Sequence, residues 1–195
     1  MCFSMADTKS IIKNRLCLFA YSFLLGVIIN AQPLFFNTDA TDSLRAYGST
    51  QAQAGSGRFL GHILDMIFER IGFYQPFRFI NVLIYIAFLA ASAVLIVMIL
   101  DIKRTSLSLL SVSILMSCAM NSGILAYFYV CHMYGFTLFI SMLACFLIIK
   151  RRAVILPAVL LSASLGIYQA FFPTVILLIF LCQFLKLSKG DGDIR

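Results

Sequence analysis

Charged residues are scarce in this sequence. Only 12% of its 195 residues are Asp, Glu, Lys or Arg, against 62% hydrophobic, and mean hydropathy is +0.98. A soluble domain of this size could not hide so much apolar surface, so that class is excluded. Metal-type cysteine spacing is missing too. Of the six cysteines, Cys17, Cys118, Cys131, Cys145 and Cys182 lie in or beside apolar runs. They read as small packing residues rather than a disulfide or metal framework. There is also no Walker loop, metal-binding cluster or serine nucleophile. Neither a metal nor a cofactor is expected.

What is there is a series of apolar runs from Leu16 to Leu187. About 20 helical residues cross the hydrocarbon core, so these runs read as membrane spans. The fold class expected is all-α, a polytopic helical membrane protein forming one membrane domain. Six spans are expected, at about 16–36, 77–100, 107–127, 132–149, 153–168 and 170–187. The last two come from dividing one long run near "GIYQAF". As a single helix, residues 153–187 would reach about 50 Å against a core of about 30 Å. A basic flank before an apolar core also describes a secretory signal. The candidate cleavage site around Ile29-Asn30-Ala31 is poor, however, and further spans follow, so the first span is expected to remain uncleaved.

The net charge of +7 invites a nucleic-acid partner, but its placement argues against one. Eleven of the fifteen basic residues sit in clusters between apolar runs: Lys9, Lys13 and Arg15; Lys103 and Arg104; Lys150, Arg151 and Arg152; Lys186 and Lys189; and Arg195. Such clusters mark cytoplasmic loops. With the N-terminus in the cytoplasm, every cluster falls inside and a loop over residues 37–76 falls outside. Tyr47, Tyr74, Tyr127, Tyr129, Tyr134 and Tyr168 then reach the outer side or its interface, where amphipathic rings favour the headgroups.

The outer loop holds half the acidic residues, Asp39, Asp42, Asp65 and Glu69, in the stretch "FFNTDATDSLRAYGSTQAQAGSGRFLGHILDMIFERIG". Over residues 58–72 the pattern is helical. Arg58, His62, Asp65 and Glu69 fall at i, i+4, i+7 and i+11 on one face, and Phe59, Ile63, Met66, Ile67, Phe68 and Ile71 cover much of the rest. This predicts an amphipathic helix lying along the outer membrane surface. An ordinary interfacial helix, its polar stripe merely facing water, fits the same spacing.

Asp39 and Asp42 directly follow the first span, at the depth of a lipid headgroup. A carboxylate there can deprotonate an incoming hydroxyl, and an arginine can grip a phosphate through its fork of donors. Equally, Asp42 can cap a short helix beginning at Ser43. His132, alone at a span boundary, reads as structural. Asn121 with Gly123 reads as a span end, and Tyr168 with Gln169 as the anchor of an outer turn.

The order of "NTDATDSLRAYG", "SGRFLGHILDMIF" and "SLGIYQAFF" along the spans resembles the type II O-antigen glucosyltransferase family of bacteria and serotype-converting phages. The likeness covers nearly the whole chain in element order. It implies a GT-C class membrane glycosyltransferase of the bacterial inner membrane. Such an enzyme moves glucose from an undecaprenyl-phosphate-glucose donor to a lipopolysaccharide O-antigen acceptor on the outer leaflet. Carried over by position, Asp42 and Arg45 match the acid–arginine pair, Gly57 and Arg58 match "GR", and Tyr168 with Gln169 match "YQ". The resemblance thus implies Asp39 or Asp42 as catalytic base and Arg45, Arg58 and His62 as donor-phosphate ligands. The family often shows two adjacent acids where this chain splits them. Its members are also longer, so a truncated frame or an N-terminal part is expected here. The alternatives are a small flippase or transporter of a lipid-linked sugar, and an inactive remnant. A through-membrane path needs ionisable residues inside the spans. The runs here hold almost none, which favours chemistry at the surface.

Overall fold

The structure, a computed structural model, describes residues 5–35, 58–70, 78–125, 127 and 130–188. Among them there is no strand. The helices are α1 (Met5–Ile29), α2 (Ala31–Phe35), α3 (Phe59–Arg70), α4 (Arg78–Ile99), α5 (Thr105–Met116), α6 (Ala119–Leu125), α7 (Cys131–Arg151), α8 (Ile155–Ile167) and α9 (Phe172–Ser188), with a 3-10 turn over Gln169–Phe171 before the last. The expectation of an all-helical membrane protein holds.

Three helices are long and apolar enough to cross a membrane, over Phe79–Ile99, Cys131–Arg151 and Gln169–Ser188. Asn14–Ile29, Thr105–Met116 and Ile155–Ile167 form shorter apolar helices. At 1.5 Å per residue, the twelve residues of α5 reach about 18 Å, short of a core of about 30 Å. The sequence suggested one unbroken span over 107–127. The structure divides that stretch at Ser117 and Cys118, and the Asn121 side chain satisfies the end so left. Asn121 donates through Nδ2 to the carbonyls of Leu115 (2.9 Å) and Met116 (3.2 Å), which α5 leaves open at its end. Its Oδ1 accepts from the fully buried Tyr85 hydroxyl at 3.0 Å. Orphan carbonyls at a buried helix end need such partners.

The centre of the bundle is the pair α4 and α7, which pack most extensively against each other. A Cβ on Gly135 would stand 3.1 Å from the Tyr85 Cα and 3.2 Å from its carbonyl oxygen, so any larger residue would push the two backbones apart. In lipid, where no hydrophobic drive joins two apolar helices, such backbone proximity and the dispersion contacts it allows hold them together. Hydroxyls add direct links. The Ser141 and Ser164 oxygens lie 2.6 Å apart between α7 and α8, and Tyr21 meets Ser113 at 3.0 Å between α1 and α5. Apart from the Tyr85 hydroxyl, the buried polar side chains among the described residues belong to Ser, Thr and Asn, and none is charged.

These contacts set the direction of each helix. Tyr85 faces Gly135, while Ile99 clusters with Cys145, Ile149 and Cys182. Helices α4, α7 and α9 therefore run the same way, and α8 runs back along α7. Helices α1 and α5 run opposite to α4, with Arg15 and Lys103 lining one cleft. The ends carrying Arg15, Lys103 and Arg104, Lys150 to Arg152, and Lys186 thus gather at one end of the bundle.

Candidate functional site

At the opposite end, α3 seats itself on α7 and α8. Its Leu60 and Leu64, one turn apart, pack against Met133, Ile140 and Ile167. Gly166 makes the docking possible. A Cβ there would lie 2.9 Å from the Phe59 ring and 3.1 Å from the Leu60 Cβ. A side chain there would have to displace the Phe59 ring and crowd the Leu60 Cβ. The glycine of "SLGIYQ" is thus explained as a seat for α3.

This docking carries Arg58, which immediately precedes α3, into the protein. Its guanidinium donates to the Tyr134 hydroxyl at 3.1 Å and lies 4.8 Å from the centre of the Tyr168 ring. The two tyrosine rings stack on each other at 4.2 Å, and Phe171 meets Tyr168 edge-on at 5.4 Å. A cation over a half-buried tyrosine face is held by the ring quadrupole, which is worth about 0.5–2 kcal/mol. The result is an arginine fixed by aromatic groups. Its contacts among the described residues are aromatic and hydroxyl groups rather than carboxylates.

One turn further along α3, His62 is half-buried, and its Nδ1 finds no hydrogen-bond partner among the described residues. The polar pair therefore does not simply face water. Instead Arg58 and His62 turn toward the bundle, while Phe59, Ile63, Met66 and Ile67 are exposed. An exposed apolar face on a docked helix suits a lipid interface.

Of the residues picked out by sequence, the structure thus brings together Arg58 and Tyr168, which lie 110 positions apart. Gln169 is exposed at the start of the 3-10 turn, beside this cluster in the chain. Asp39, Asp42, Arg45 and Gly57 lie outside the described residues. Tyr134 is the residue that sequence reasoning missed as a site partner. The sequence groups it with five other tyrosines at the outer interface, and its separation of 76 from Arg58 leaves no local signal. Groups of three or more His, Cys, Asp or Glu able to hold a metal do not occur among the described residues.

No curated protein and no solved structure matches the chain. The glucosyl transferase GtrII family does match, over residues 33–194, which includes α3, both site tyrosines and the 3-10 turn. By that match over most of its length, the chain belongs to the glucosyl transferase GtrII family, membrane glucosyltransferases of O-antigen modification that join a sugar donor to a glycan acceptor.

Proposed function

We propose that this chain forms the donor site of a transferase taking glucose from undecaprenyl-phosphate-glucose to a lipopolysaccharide O-antigen sugar. In this reading it lies in the bacterial inner membrane with six crossings. The N-terminus and the gathered basic end face the cytoplasm. The Arg58 end then meets the outer leaflet, where a lipid-linked donor presents its phosphate.

The observation that carries the reading is the placement of Arg58. A guanidinium held by Tyr134 and Tyr168, with no carboxylate partner among the described residues, at the end of the bundle opposite the basic clusters, has the form of a phosphate receptor. Positioned in advance, it stabilises charge as that charge develops on the departing group. His62, with Nδ1 open, stands one turn away as a second donor or acceptor. Arg45 is assigned to the same phosphate by its match to the family pattern. Tyr168 and Gln169 shape the site wall.

The chemistry is a substitution at the glucose anomeric carbon. The acceptor hydroxyl oxygen forms the new bond to that carbon, and the bond from carbon to phosphate oxygen breaks. Undecaprenyl phosphate leaves with the electron pair. The hydroxyl proton passes to Asp39 or Asp42 acting as base. A lipid phosphate is already a good leaving group, so the protein's task is to position the reactants and stabilise charge.

The test replaces the acids. Asp39→Asn and Asp42→Asn keep size and most hydrogen bonding but remove basicity. The variant that loses the base should transfer glucose roughly 10²–10⁴-fold more slowly in membranes, the usual reach of acid–base catalysis. A helix cap so changed should lose little, because Asn caps about as well as Asp. Wild-type transfer by both variants, at equal membrane expression, would place the base elsewhere.

A further inference from the structure

The basic end of the bundle contains a cleft of about 360 Å³ between α1 and the turn joining α4 to α5. Its lining is divided by polarity. Leu18 and Leu109 form an apolar wall, while Asn14, Arg15, Lys103 and Thr105 supply polar and cationic groups. Arg15 is half-buried, and the Lys103 side chain is 85% exposed. Among the described residues its acidic neighbour is Asp101, at 3.9 Å and itself 63% exposed. An exposed pair of that length is worth little and leaves the lysine available.

Two cations beside an apolar wall suit a ligand that carries both an anion and hydrocarbon. Position narrows the choice further. The cleft opens where the apolar part of α1 begins, at Asn14, and where α4 ends, at Ile99, which is the boundary depth of a membrane helix. Basic pockets between membrane helices on the cytoplasmic side bind anionic headgroups. The geometry points to a binding site for the headgroup of an acidic phospholipid, with its phosphate between Arg15 and Lys103 and its glycerol and upper acyl carbons against Leu18 and Leu109. The Thr105 end of α5 adds open backbone N–H groups, since its preceding residue Arg104 makes no side-chain cap. This site rests on the membrane placement of the chain and not on glucose transfer, so inactive Asp39 or Asp42 variants should retain it.

The test uses the full chain in detergent micelles, with bound lipid counted by native mass spectrometry. Phosphatidylglycerol should be retained in preference to phosphatidylcholine of the same acyl chains. Arg15→Gln and Lys103→Gln should each weaken that retention about fivefold, the effect of one cation near an anionic headgroup. Arg151→Gln, at the same end but outside the cleft, should not. Equal retention of the two lipids overturns the proposal, as does equal weakening by Arg151→Gln. Displacement by millimolar inorganic phosphate would show a phosphate site without lipid recognition, and also overturns it. A second measurement needs no charge variant. Cys17 lines the cleft and is exposed. Phosphatidylglycerol should slow its maleimide labelling, read by peptide mass, and unchanged labelling would count against the site.

Discussion

Arg58 and the arginines that follow α4 and close α7 carry the same charge in opposite surroundings. At one end Arg104, Arg151 and Arg152 are exposed, in company with lysines. At the other, Arg58 is half-buried, bonded to Tyr134 and set over the Tyr168 ring. An exposed arginine holds its charge in high dielectric, where it orients the chain in a membrane but contributes little to packing. An arginine held by aromatic rings is partly desolvated, so the same charge acts more strongly on a nearby anion. The side chains are identical, and only their surroundings differ.

The sharpest way to break this contrast is to remove Arg58. Arg58→Ala should lower glucose transfer in membranes by roughly 10²–10³-fold, the range for losing one preorganised donor at a developing charge. Arg58→Lys keeps the charge but loses the planar fork and the stacking, so it should fall between wild type and Ala. Arg151→Ala in the same assay should transfer normally. If Arg58→Ala also transfers normally, the two ends do not differ as argued.

How much of this contrast was legible before the structure depends on what kind of signal each part leaves. The helices were legible because apolar residues dominate long runs that hold no charge, as in "FINVLIYIAFLAASAVLIVMI". The basic end was legible because its residues cluster between those runs. The amphipathic helix was legible from its 3.6-residue period, and α3 spans Phe59–Arg70 as that period suggests. Which way its polar residues turn was not legible, since that depends on Gly166, about a hundred positions away, accepting Leu60. The break at Ser117 left no proline or glycine signal either. It is satisfied by Asn121 reaching back to two carbonyls, and serines such as Ser113 and Ser117 bond to carbonyls one turn earlier. Single-sequence patterns report neighbours along the chain, and these contacts are lateral.

Docking of α3 gives the next test. Gly166→Val forces branched carbons into a space already closed at 2.9–3.1 Å. Overpacking of this kind costs typically 1–3 kcal/mol. The expected outcome is that amides of α3 exchange with solvent about ten- to a hundredfold faster, while those at the centre of α4 keep their protection. Transfer should fall with the same variant, because Arg58 would lose its seat. Unchanged exchange in α3 would mean that Gly166 is not what positions it.

A smaller effect than loss of Arg58 is expected from Tyr134→Phe. The ring and its stack on Tyr168 remain, and only the hydroxyl that accepts from Arg58 is lost. A hydrogen bond from a charged donor is worth about 1.5–3 kcal/mol, so transfer should fall by roughly ten- to a hundredfold. The fall should lie in KM for the lipid donor if Tyr134 positions Arg58 toward the donor phosphate. A change in helical content without a change in KM would make Tyr134 a packing residue instead.

The smallest effect has the opposite sign and belongs to the basic end. Arg152 terminates α7 in the left-handed region, with φ of 51° and ψ of 27°. The next residue, Ala153, donates its N–H to the Leu147 carbonyl at 3.3 Å, which closes the helix in the manner of a glycine-terminated helix. A side chain in this conformation costs roughly 1–2 kcal/mol relative to glycine. The Arg152 side chain is exposed, so losing it removes little packing to offset that gain. Arg152→Gly should therefore raise the midpoint of thermal unfolding in micelles by a few degrees. Lys150 and Arg151 remain beside it, so the orientation of the chain should not change, and a cysteine at Ser106 should stay unlabelled from outside intact spheroplasts. Arg152→Ala removes the same charge without relieving the backbone and should leave the midpoint close to wild type. If both substitutions lower the midpoint, the Arg152 side chain makes a contact that matters. In that case the basic end holds its arginines as specifically as the aromatic end holds Arg58.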